Sequence, residues 1–129
     1  MSVLHWRSDF SVGIKVVDHD HQELIGRIRD HQAGLEGCTD GDKIVEILDA
    51  IYADISEHFL LEEKLMEQLR YSAAADHKED HETLLDDLRE IMVGVEDEGF
   101  LDEAQLTDDL DRWFSDHFRL HDAKLHQAT

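Results

Sequence analysis

The chain contains no proline and one cysteine in 129 residues, and its 12 lysines and arginines are outnumbered by 32 acidic residues. Without proline nothing kinks a helix by the usual route, so long unbroken helices are open to it. Cys38 has no intramolecular disulfide partner, and its neighbours Gly37, Thr39, Asp40 and Gly41 place it in an expected surface turn with no chemical role. The formal net charge of −20 repels a phosphate backbone or an anionic membrane, which argues against nucleic acid as a partner. No apolar run approaches the roughly 20 residues of a membrane span, and the opening Met1 to Arg7 lacks the apolar centre of a secretory signal. A soluble, cytoplasmic protein without membrane insertion is the expectation. Alternating strand patterns are also missing.

What the chain does have is ten histidines and a strong helical period. Ile44, Leu48, Ile51, Ile55, His58, Glu62, Leu65 and Leu69 recur at spacings of four and three, the seam of a helix packed in a bundle. Similar stripes run through His21, Leu24, Ile28, His31 and Leu35, through His77, His81, Leu84, Leu88, Ile91 and Val95, and through Leu106, Leu110, Trp113, His117 and Leu120. Four helices are therefore expected near 18–36, 41–69, 74–96 and 102–121, the first capped by Asp18 and the links marked by glycine. Short links favour an all-α, antiparallel up-down-up-down four-helix bundle over 18–122, with residues 1–17 as an irregular arm across it and the whole chain as one domain.

Each stripe carries a polar interruption. A buried imidazole or carboxylate without a partner costs several kcal/mol, roughly 2–7 for a neutral group, so these residues should hold something between them. In an alternating bundle, His21 near the start of the first helix, His58 and Glu62 late in the second, His77 and His81 early in the third and His117 late in the fourth all fall at one end. Metal is the leading occupant. A set rich in neutral nitrogen suits iron, zinc or copper and disfavours magnesium and calcium. Five histidines exceed what one zinc takes, whereas two metals sharing carboxylate bridges use the whole set. Glu62 is one bridge. The second acidic residue is Asp122 or Asp116, and Asp122, five residues after His117, stands about 140° around an ideal helix, so it reaches the site only if the helix ends or widens there.

Asp18-His19-Asp20-His21, His58-Phe59-Leu60-Leu61-Glu62-Glu63, His77 with His81, and Trp113 through His117 to Asp122 together resemble the signature of bacterial hemerythrins. The likeness spans nearly the whole chain, including Trp6, Gly13-Ile14 and Tyr71. It implies two iron ions with an oxo or hydroxo bridge, one held by His77, His81 and His117, the other by His21 and His58, with Glu62 and Asp122 bridging them. It thereby favours Asp122 over Asp116. Two departures stand out: Ser72 follows Tyr71 where proline is common, and Phe118 follows His117 where an aliphatic residue is common, which bears on ligand affinity.

The resemblance further implies reversible dioxygen binding at the open position of the two-histidine iron, at the peroxide level, with small anions as competing ligands of the cationic oxidised centre. A non-enzymatic carriage, storage or delivery role follows, with a di-iron peroxidase, oxidase, nitric-oxide-handling protein or partner-dependent sensor as the alternative. Ferritin-like iron chemistry is disfavoured because paired Glu-x-x-His motifs are missing. Reversibility needs a dry pocket, for which Leu24, Trp113, Phe114 and Leu120 are the expected lining. His5, His19 and His126 are expected in solvent, Glu63 at the surface, and His31 out of reach, about 15 Å along the helix from His21. His121 is a minor alternative to Asp122.

Overall fold

The structure, a computed structural model, describes residues 3–128. It contains α1 (Lys15–Ala33), α2 (Gly41–Leu69), α3 (Ala74–Glu98), α4 (Glu103–His117) and a short α5 (Ala123–Gln127), with a π-helical turn, Phe118–Asp122, joining the last two. No strand occurs among the described residues, and none of the helices is long and apolar enough to cross a membrane. The up-down-up-down bundle is as expected. α2 and α4 begin where Asp40 and Asp102 accept hydrogen bonds from the backbone N–H groups of Asp42 and Gln105, satisfying donors that a helix start leaves open. The start of α2 meets the end of α3, with Gly41 closely approaching Gly99, which puts the loops 34–40 and 99–102 at one end and the histidines at the other.

Asp18 has a different task from the expected cap. α1 begins three residues earlier, at Lys15, and the Asp18 carboxylate instead ties down the arm, accepting from Val12 N at 2.8 Å and from Ser11 Oγ at 2.6 Å. The buried Gln32 of α1 completes the attachment: it accepts from Leu4 N at 2.7 Å and donates to Thr107 Oγ1 at 3.0 Å. Leu4 and Phe10 thereby sit in the core.

Three stripes shift by one residue as they run. α2 buries Ile44, Leu48, Ile51 and Ile55 as expected, but then Phe59, Glu62 and Met66, with Leu69 exposed. α3 buries Met92 where Ile91 was expected, and α4 buries Phe114 where Trp113 was expected. A strict four-three repeat drifts about 20° per heptad against a straight helix, which turns the next residue along toward the core late in α2 and α3; Trp113 stands only one heptad after Leu106, and this drift does not account for Phe114.

Candidate metal centre

His21 projects from the second turn of α1, His58 and Glu62 from the second half of α2, His77 and His81 from the first three turns of α3, and His117 closes α4. All but His58 are buried, as is Asp122, and His58 is half-buried. Glu62 spreads its two oxygens. Its Oε1 lies 3.0 Å from His81 Nε2, 3.4 Å from His77 Nε2 and 3.6 Å from His117 Nε2, while Oε2 faces His58 Nε2 at 3.7 Å. Asp122 does the same: Oδ1 lies 2.9 Å from His117 Nε2 and 3.0 Å from His77 Nε2, and Oδ2 lies 3.2 Å from His21 Nε2. Two groups result, Glu62, His77, His81, His117 and Asp122 on one side and His21, His58, Glu62 and Asp122 on the other, each able to converge on a single cation with the carboxylates common to both.

The donor set fits a pair of metal ions on its own chemistry. His58 Nε2, His77 Nε2, Glu62 Oε2 and both Asp122 oxygens are buried and make no hydrogen bond, although ring nitrogens and carboxylate oxygens stand only 2.9 to 3.7 Å apart. Proximity without hydrogen-bond geometry is what lone pairs aimed at a shared third atom produce. Leaving so many buried polar atoms unpaired would otherwise be costly.

A family profile described as the Hemerythrin HHE cation binding domain matches residues 12–129. The chain belongs to the hemerythrin family. Bacteriohemerythrin of Pseudomonas aeruginosa is 35% identical over 129 residues, 95% of this chain and 79% of that protein. Bacteriohemerythrin of Stenotrophomonas maltophilia is 31% identical over 123 residues, 92% and 76% of the two chains, and myohemerythrin of Sipunculus nudus is 26% identical over 94 residues, 73% and 72%. No solved structure matches the chain significantly.

Within this hemerythrin bundle the π-helical turn answers the 140° problem. Widening the helix over Phe118–Asp122 lets Asp122 return to the face that carries His117. Asp116 points away, pairing with Arg119 at 3.0 Å in solvent. Phe118 is fully buried, stacking on the His21 ring at 3.8 Å and packing on Phe114 and Phe10, so this departure braces the site. His81 stacks on Phe59 in the same way, also at 3.8 Å.

Two supporting carboxylates escaped the sequence reading. Glu63, expected at the surface, accepts a hydrogen bond from His81 Nδ1 at 2.9 Å, and Asp80 accepts one from His117 Nδ1 at 2.6 Å. Each fixes the ring so that Nε2 presents its lone pair inward. Glu63→Gln and Asp80→Asn are each expected to weaken metal binding about 10- to 100-fold, measured by chelator competition. Unchanged affinity in both would show that these bonds do not support the site.

The expected pocket lining is corrected. Leu120 is 58% exposed, because the widened turn rotates it outward, and Trp113 lines an outer groove with Asp87, Glu90 and Arg112. Leu24 and Phe114 are buried in the general core. The cavity that borders the metal-capable groups, about 180 Å³, is lined instead by Val17, Asp20, His21, His58, Leu61, Glu62, Leu65 and His126. His126, expected in solvent, has a side chain only 16% exposed. Cys38, half-buried, lines a separate cavity of about 250 Å³ at the opposite end, remote from the histidines. His5 and His19 are exposed as expected, His31 bonds Asp54 at 2.9 Å, and His121 belongs to neither metal-capable group, its Nε2 lying 3.8 Å from Asp80 Oδ2.

Burial and the Asp122 charge both oppose ionisation of Glu62, yet the facing imidazoles of His117, His77 and His81 prevail and hold its carboxyl down to about 2. Asp122, likewise opposed by burial, is held well below the carboxylate range by His117, His21 and His77. His117 and His77 are raised above 6.5, since the carboxylates outweigh the effect of burial. Burial pushes His58 and His126 down. In metal-free protein the raised histidines contribute fully below about 6.5 and lose that contribution as pH climbs through their folded values. The depressed carboxylates contribute above their ordinary values of 4.5 and 3.8 and fail only in stronger acid. His58, His126 and His121, pushed down by burial, act in the opposite sense but only up to about 6.5, so metal-free protein should melt at lower temperature as pH rises above about 7, read by calorimetry, and a rising melting temperature there would contradict this charge assignment.

Proposed function

We propose that the chain is a non-heme di-iron protein that binds dioxygen reversibly for carriage, storage or delivery, as a single domain and without enzymatic turnover. The observation that carries this reading is the unequal division of donors: three histidines on one side, two on the other, and two carboxylates whose oxygens reach both. In this reading His77, His81 and His117 hold one iron and His21 and His58 the other, with Glu62 and Asp122 bridging. When bound, the iron pair supplies the electrons and the open coordination position for dioxygen, or for a competing small anion. The chain's residues do the rest. His21 and His58 border the 180 Å³ cavity, so the two-histidine side is the one a small molecule can reach. Val17, Leu61 and Leu65 give that cavity an apolar part of its wall. Membership of the hemerythrin family supports the assignment. The acidic surface argues against nucleic acid, and a lone cysteine suits the reducing cytoplasm.

One observation favours a di-iron redox enzyme as the second reading: His126 brings a polar ring to the same cavity. The two readings separate on one cycle. Protein reduced without air and then exposed to it should give a coloured adduct that reverses under vacuum. Rapid conversion to the ferric form with release of peroxide would overturn the carrier reading and support the enzyme.

A further inference from the structure

The helical turn that returns Asp122 to the site also steers the residue four positions further on. His126 shares a face of α5 with Asp122, because residues four apart on a helix stack one above the other. Leu125, fully buried, anchors that short helix, so His126 is held at the rim of the site and not in a loose terminus. Its Nε2 lies 3.9 Å from Glu62 Oε2, and it belongs to neither metal-capable group. It does line the cavity that borders His21, His58 and Glu62. An imidazole there is one step back from the ligand positions and faces the volume a small molecule would fill. At about 180 Å³, that volume takes a two- or three-atom molecule with room to spare, since water occupies about 30 Å³ in the liquid.

We propose that His126 is a ligand-selecting residue, donating a ring N–H hydrogen bond to the small anion or other acceptor-bearing molecule that occupies this cavity. The inference rests on the di-iron reading above and deepens it. Of the remaining wall, Val17, Leu61 and Leu65 offer no side-chain donor, Asp20 and Glu62 offer carboxylates that disfavour an anion, and His21 and His58 turn their Nε2 atoms toward Asp122 and Glu62 as ligands in the di-iron reading. His126 therefore decides how well an acceptor is held.

Azide is a suitable probe, and the comparison is between the wild-type protein, His126→Leu and His126→Gln, each loaded with iron and oxidised. Iron content is measured first and should be equal in all three. Azide affinity, followed by optical titration, should fall about tenfold in His126→Leu, the loss expected of one hydrogen bond to a charged acceptor. His126→Gln, which keeps an N–H donor, should recover most of that affinity, a rescue that a purely space-filling role would not give. Full iron with unchanged azide affinity in His126→Leu would overturn the proposal. Loss of one iron in His126→Leu would also overturn it, by making His126 a metal ligand. Absence of paired iron in the wild-type protein itself would instead strike the di-iron reading, and this inference would fall with it.

Discussion

Asp122→Ala should fold as the wild-type bundle does yet fail to load a pair of metal ions. The carboxylate is fully buried, with Oδ1 2.9 and 3.0 Å from His117 and His77 and Oδ2 3.2 Å from His21, so one substitution removes a donor from both groups at once. Nothing nearby replaces it: Asp116 is turned to solvent and paired with Arg119, and His121 lies outside both groups. The loss should exceed the roughly 10- to 100-fold expected for a supporting carboxylate, leaving at most one weakly held ion per chain. Elemental analysis, with circular dichroism to establish folding, reads the result. Retention of both ions would mean that Asp122 is not the second bridge.

Phe118→Ala should carry the largest stability cost. Phe118 is fully buried where the arm, α4 and the site meet, with its ring on His21 at 3.8 Å, Phe114 at 5.3 Å and Phe10 at 5.9 Å. Truncating such a ring costs about 3–5 kcal/mol through lost transfer energy and the remaining cavity. At about 2–8 °C per kcal/mol, the melting temperature should fall by at least roughly 6 °C. Phe118→Leu keeps most of the volume and should cost less than about 1.5 kcal/mol. If both variants melted near the wild-type temperature, the Phe118 contacts would not brace the widened turn.

The bundle was legible from the sequence because burial imposes a helical period, and the polar interruptions were legible because they break it. His21, His58, Glu62, His77, His81 and His117 were all reachable by that reasoning. Asp122 was not reachable from spacing alone. Its position depends on one widened turn, Phe118–Asp122, which leaves no mark in the apolar spacing. Glu63 and Asp80 were missed for a related reason. Periodicity separates inward from outward but says nothing about which neighbour an edge residue faces, and both sit at edges where an adjacent histidine turns its Nδ1 toward them. A usable signal was present in Asp80 beside His81 and Glu63 beside Glu62: acidic residues next to expected ligands are the natural source of ring-orienting bonds. His126 was misread because its place depends on α5, which exists only beyond the widened turn. Leu69 was misread because a strict four-three count ignores the drift of a straight helix.

The most direct test of the central claim is the metal content of the protein reconstituted with ferrous iron without air and freed of loosely bound ions. Two iron ions per chain is the predicted result, since the seven donors divide into two groups joined by Glu62 and Asp122. A single ion per chain, or tightly held zinc with no iron, would contradict it.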